Sequence, residues 1–305
     1  MRYSIHTGNH QNSPTIGDMV QFVRCALADC GHDAQINEQI VNDRFNVVLE
    51  HFVDAESLAR IVDGHARGAR YILIGTEPIV GGTFNGHMVD SHWHYSNAPY
   101  WRQRYEAFLK VAGLADAVWV FAESMVESYR AVLPGLPIVF LPHGYVDGFQ
   151  SVRHRPAGEK DIDFYFSGTM TTYRQAILQR LALRHRVVFN NKDTPEYLRS
   201  EQLARSKVFL SLRLMPENTI PSVSRMHFHL QNRNYMIHER YERPCALDPF
   251  VMHVPPAELV DWALAALDVT NRGEAAEAAC TRFRNEMPMS RLMPAVLADS
   301  RLTGA

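Results

Sequence analysis

Ile162-Asp163-Phe164-Tyr165-Phe166-Ser167-Gly168-Thr169 is an apolar, aromatic-rich run of strand length that stops on small polar residues. A helical pattern follows from Tyr173, so the run reads as a buried strand feeding a helix. The same arrangement recurs in both halves of the chain. Val118-Trp119-Val120-Phe121 gives way to Ala122-Glu123-Ser124, Ile138-Val139-Phe140-Leu141 to Pro142-His143-Gly144, and Tyr235-Met236-Ile237-His238 to Glu239. Open α/β sheets bind ligands just outside the carboxyl ends of their strands. Two halves that load polar groups there imply two α/β domains facing each other across a cleft.

Around these runs, strands alternate with helices, which argues for parallel sheets. Strands are expected over 2–5, 46–50, 71–75, 118–121 and 138–141, then over 162–166, 186–189, 207–212 and 235–238. Helices are expected after Ile16 and over 57–64, 100–112, 124–132, 173–183, 195–204, 224–231, 255–268 and 274–285. Gln150 to Lys160, with Pro156 and Gly158, reads as the interdomain linker. The division expected is 1–155 for an acceptor-side domain and 159–270 for a donor domain. The remaining 271–305 is expected as C-terminal helices. Residues 81–98 read as a long loop carrying Phe84, His92, Trp93, His94 and Tyr95. Those aromatics suit either stacking on a ligand or anchoring the loop in the core.

The 305 residues are 46% hydrophobic and 21% charged, a globular composition large enough for two domains. A net charge of -2 gives no global field for duplex nucleic acid. Arg102, Arg104 and Lys110 on one helix are the sole hint of a local basic groove. The four cysteines, Cys25, Cys30, Cys245 and Cys280, have no CxxC spacing and read as reduced thiols. No apolar stretch approaches about 18 residues, the length of a membrane span. The first residues lack the apolar core of a signal peptide, so a cytoplasmic location is expected.

The strand-end groups are the candidates for chemistry. Gly168 and Thr169 stand at a strand-to-helix junction, where free helical N–H groups can hold phosphate, and Arg174 can add a bidentate contact. Ser222 and Arg225 begin another helix in the same way, and Glu239 can accept two hydrogen bonds from ribose hydroxyls. Each also has a plain structural reading as a helix cap or surface charge. His143, Glu77 and His10 are candidates for a general base. His92 with His94, and His227 with His229, tempt a metal reading. Spacing of two puts both rings on one side only in a strand, and no HExxH or CxxC supports zinc, so no metal site is expected. GxGxxG, Walker and GxSxG patterns are absent from the sequence.

The order of parts resembles the two-domain GT-B glycosyltransferases, especially the CgeB-like and family-4-like retaining type. The likeness runs over roughly residues 115–260. It is carried by Ala115 to Ser124, by Leu141-Pro142-His143-Gly144-Tyr145-Val146-Asp147, by Asp161 to Thr169, by Lys207 to Leu212 and by Ser222 to Glu239. It implies two Rossmann-like domains and sugar transfer from a nucleotide-sugar without metal. Apart from the nucleotide-sugar co-substrate, no cofactor is implied. The acceptor is unknown: a glycan, small molecule, protein or nucleic acid. Gly168, Thr169 and Arg174 would lie against the donor diphosphate, Ser222 and Arg225 near the nucleotide, Glu239 on the ribose, and His143 at the cleft. The last helix is implied to return to the first domain. His229, Leu230 and Gln231 replace the family's usual acidic residue, and Arg233-Asn234 its small pair. The altered helix after Arg225 motivates one alternative, a non-catalytic nucleotide-sugar-binding protein, and the Arg102, Arg104 and Lys110 helix another, a nucleic-acid-modifying glycosyltransferase.

Overall fold

The computed structural model describes residues 1–8, 13–52, 54–86, 96–191 and 194–302, without the side chains of 13–15. They form two compact units. Of the described residues, the first unit holds those up to Pro142 together with those from Met289 onward, and the second holds His143–Pro288.

The first unit is built on six parallel strands. They are β1 (Arg2–His6), β2 (Asp33–Asn37), β3 (Phe45–Leu49), β4 (Arg70–Gly75), β7 (Ala117–Val120) and β8 (Ile138–Phe140), in the order β2-β1-β3-β4-β7-β8. All residues of β3 and β7 are buried, as expected of central strands covered on both faces. A small antiparallel hairpin, β5 (Ile79–Val80) and β6 (Thr83–Phe84), occupies the start of the expected loop. Phe84 is fully buried against Tyr105 and Phe108, so it is a core anchor. The helices are α1 (Ser13–Ala28), α2 (Ala55–Ala66), α3 (Ala98–Ala112) and α4 (Val126–Val132). The last helix of the chain, Met289–Asp299, also packs in this unit, where the Trp119 indole donates to Ser300 Oγ at 2.8 Å.

The second unit has five parallel strands. They are β9 (Ile162–Ser167), β10 (Val187–Asn190), β11 (Ser206–Ser211), β12 (Met236–Glu239) and β13 (Met252–Val254), in the order β10-β9-β11-β12-β13. Its helices are α5 (Thr172–Ala182), α6 (Glu196–Ala204), α7 (Val223–Gln231), α8 (Leu259–Ala266) and α9 (Arg272–Glu286), and Met289–Asp299 is then α10. Phe164, Phe166, Val208, Leu210 and Ile237 meet Ile177, Leu181, Leu259 and Ala263 in one core. Both sheets are doubly wound and Rossmann-like. In the second, the strand order reverses between β9 and β11. The carboxyl ends of those two strands therefore flank the crevice where such a sheet takes its ligand.

Candidate functional site

Four of the residues singled out in the sequence meet at that switch point. Gly168 leaves β9 with a φ of +138°, which L side chains rarely adopt. A β-carbon there would stand 2.6 Å from Arg225 Nη2 and 3.5 Å from Arg174 Nη1. Glycine thus lets two guanidinium groups close on the strand end. Both also lie over the Phe166 ring, with 5.1 Å for Arg174 and 5.5 Å for Arg225 to the centroid.

Arg174 is 3% exposed and heavily bonded. It donates to the carbonyls of Thr169 (2.7 Å), Leu212 (2.9 Å) and Arg213 (2.8 Å), tying the exit of β9 to that of β11. Carbonyls satisfy its donors and leave its charge in place. Thr171 caps α5, accepting from the Arg174 N–H at 3.3 Å while its hydroxyl donates to Leu214 O at 2.7 Å. Ser222 is the N-cap of α7 and makes no side-chain capping bond. Ser224, one residue into that helix, meets His143 Nε2 at 3.1 Å.

Glu239 ends β12 with no exposed surface. One carboxylate oxygen accepts from the Tyr173 hydroxyl, and the other from the Arg213 N–H at 2.7 Å. Arg213 Nε lies 3.6 Å from the first oxygen. Burial pushes the carboxyl pKa up, while Tyr173 and the arginines pull it down. Burial likewise pushes the Tyr241 hydroxyl up to about 12, in the combined field of Arg225, Arg174, Glu239 and Arg213. Arg213 thus contacts the carboxylate directly and Arg174 acts on it at longer range, while Arg225 and Arg174 close on Gly168. The arrangement is an anion site beside a hydrogen-bond acceptor, chemically suited to a diphosphate next to a diol. The sequence marks Arg213 as a polar group after a strand but gives it and Tyr173 no partner; their spacing from Glu239, 26 and 66 residues, leaves no local signal of the pairing.

His143 belongs to the second unit and is 2% exposed. Burial, then the His227 ring 5.5 Å away, holds its pKa well below the usual imidazole range, so it is neutral at pH 7. His227 bonds Gly144 O at 3.1 Å, and His229 bonds the Asn234 amide at 2.8 Å; both are core groups. Among the described residues, no three His, Cys, Asp or Glu side chains are grouped to hold a metal ion.

In the first unit, Glu77 follows β4 and Glu50 follows β3. Arg104, from α3, donates to Glu50 at 2.9 and 2.7 Å and lies 3.2 Å from Glu77. Asn85 donates to Glu77 at 2.6 Å, and Thr76 donates to Glu50. Burial pushes Glu50 up to about 7; Arg104 opposes this and the Glu77 charge adds to it. Glu77 is 24% exposed and so the accessible carboxylate of the pair. Arg104 is buried in this network while Arg102 and Lys110 are exposed, so the three do not form one basic surface. His10, His92, Trp93, His94 and Tyr95 lie outside the described residues. No helix is long and apolar enough to cross a membrane.

No protein-family model matches the sequence, and no curated protein matches it significantly. Solved structures do resemble it. A mutant of T4 phage BGT in complex with UDP-glucose superposes with a TM-score of 0.59 at 12% identity, covering 99% of this chain and 100% of that one. A mutant of S. aureus TarM in complex with Fondaparinux, alpha-GlcNAc-glycerol and UDP gives 0.52 at 8% identity, over 84% of this chain. A second TarM structure gives 0.50 at 9% identity, over 87% of this chain. The chain spans 55% and 56% of those two TarM chains. Its fold is that of the GT-B glycosyltransferases, with two Rossmann-like α/β units.

Proposed function

We propose that this chain transfers a sugar from a nucleoside-diphosphate sugar to an acceptor hydroxyl, without metal. The observation that carries the reading is the pairing of Arg174 and Arg225 at Gly168 with Arg213 on Glu239, at the strand ends where a sheet of this topology takes a ligand. UDP-glucose in the phage relative, whose whole length the chain matches, supports the same donor class.

In the reaction, the bond from the anomeric carbon to the donor phosphate breaks and a bond to the acceptor oxygen forms. The departing diphosphate gains negative charge. Arg225 and Arg174, with the N-termini of α5 and α7, would stabilise that charge without a metal. Glu239 would hold the ribose diol, and for this the Tyr173 hydroxyl must leave the carboxylate. Glu77, the part-exposed carboxylate of the first unit, is the proposed acceptor of the incoming hydroxyl's proton. His143 would act by fixing Ser224 at the start of α7, since it is buried and neutral.

The test is to incubate the protein with UDP-, GDP-, TDP- and CMP-sugars and to follow release of the nucleotide, with and without a chelator. Chelator-insensitive release from one of the UDP-, GDP- or TDP-sugar classes supports the reading; release from CMP-sugars alone, which carry no diphosphate, would contradict it. Tight donor binding with no release, in the presence of varied acceptors, would favour the binding-only alternative.

A further inference from the structure

A cavity of about 430 Å³, faced by several charged side chains, lies in the second unit at the other end of its sheet. Lys207, at the start of β11, and Tyr235, just before β12, line it, so it opens at the amino ends of the strands. Six cationic side chains and one carboxylate, Glu277, face it. Three of the cations are neutralised: Lys207 by Asp163 at 2.7 Å, Arg155 by Glu201 at 2.7 Å and Arg233 by Glu277 at 3.2 Å.

The other three have no carboxylate among the described residues. Arg272 donates to the carbonyls of Ala266, Leu267 and Val269, which leaves its charge intact. Lys160 contacts His154 Nδ1 at 3.3 Å, while His154 Nε2 bonds Asn232 O at 2.9 Å. That pairing makes the imidazole a neutral acceptor for the ammonium. Arg153 is exposed and makes no ion pair among the described residues. Burial, then Arg272, lowers the Lys160 pKa, as uncompensated positive charge should.

Two further features suit an anionic ligand. Arg233 Nε is buried with no hydrogen-bond partner. Helix α9 begins at the cavity with Arg272 and Gly273, and its N-cap Asn271 makes no side-chain capping bond. The volume falls within the range of about 300–1,000 Å³ for small-molecule sites.

We propose that this cavity binds a small phosphate ester, with Lys160, Arg153 and Arg272 around the phosphate and Tyr235 beside the organic part. A phosphate dianion would offset the three uncompensated charges, and α9 would present its positive end to it. The site does not depend on the donor reading, because it shares no residue with the cluster around Glu239.

Calorimetric titration of the full chain tests it, with glucose 1-phosphate and inorganic phosphate as probes. Lys160→Gln and Arg153→Gln should each weaken glucose 1-phosphate about tenfold, the loss expected for one charge-assisted hydrogen bond. Arg225→Gln should leave this binding unchanged. Arg153 is exposed, so its variant reports even if the Lys160 substitution disturbs folding. Tighter binding of the ester than of inorganic phosphate supports a role for Tyr235; equal binding supports recognition through the phosphate alone. No binding by either probe, or binding lost in Arg225→Gln and retained in Arg153→Gln, would overturn the proposal.

Discussion

Glu239 is engaged on both carboxylate oxygens, by the Tyr173 hydroxyl on one and the Arg213 backbone on the other. Only the tyrosine can withdraw without moving a strand. Glu239→Gln keeps the shape but weakens acceptance from a diol, so nucleotide affinity should fall about tenfold with little loss of stability, as titration calorimetry will show. Tyr173→Phe should leave nucleotide binding as tight or tighter; a loss as large as that of Glu239→Gln would show that the hydroxyl itself touches the ligand. The arginines should separate by experiment. Arg174 braces three carbonyls, so Arg174→Ala should cost about 2–3 kcal/mol in urea unfolding as well as donor affinity. Arg225→Ala should weaken diphosphates more than free nucleosides and leave stability nearly unchanged. Gly168→Ala should cost about 1–2 kcal/mol, because its backbone angle is closed to a side chain, and should displace Arg225.

At the scale of elements, what could be read from the sequence follows burial. The central strands β3, β4, β7, β9 and β11 are apolar runs because both faces are covered, and each falls within a residue or so of its expected span. Of the four edge strands of the two parallel sheets, β8 and β10 match expected spans, while β2 and β13 left no such trace. β2 is Asp33-Ala34-Gln35-Ile36-Asn37, largely exposed, and it pairs only with β1. β13 is three residues long, too short to stand out as a run. The site was legible where it depends on the chain's local grammar, as at Gly168, Arg174 and Arg225 beside strand ends. It was hidden where distant residues pair, as with Tyr173 on Glu239 and Arg104 between Glu50 and Glu77. Histidines misled most: His143, His227 and His229 fill the core of the second unit with neutral rings.

For the whole molecule, those rings set the response to acid. His143, His227, His229 and His238 all have pKa values pushed below the usual 6.5 by burial, the values for His227 and His238 lying at about 3. Between those limits the unfolded chain binds protons that the folded unit does not, so stability is present above pH 6.5 and lost as pH falls. The His227 and His238 rings should each contribute about 2 kcal/mol of loss by pH 5, and His143 and His229 act in the same direction. In the first unit the single buried ring of this kind among the described residues, His6, is held at about 4 by burial, and the raised Glu50 acts oppositely: its contribution is present at low pH and lost as pH rises through about 7. Urea unfolding followed separately in the two units should therefore show the second giving way first at pH 5. Were the first unit to fail first, the neutral-histidine account would be wrong.

The proposed donor site is tested most directly by thermal unfolding with UDP-, GDP-, TDP- and CMP-sugars, with and without divalent metal, on the wild type and Glu239→Gln. A ligand bound only by the native state raises the apparent melting temperature by mass action. The predicted result is a metal-independent rise from one nucleotide class, reduced in Glu239→Gln. No rise from any nucleotide-sugar, or a rise undiminished by that substitution, would contradict a nucleotide-sugar site at Glu239.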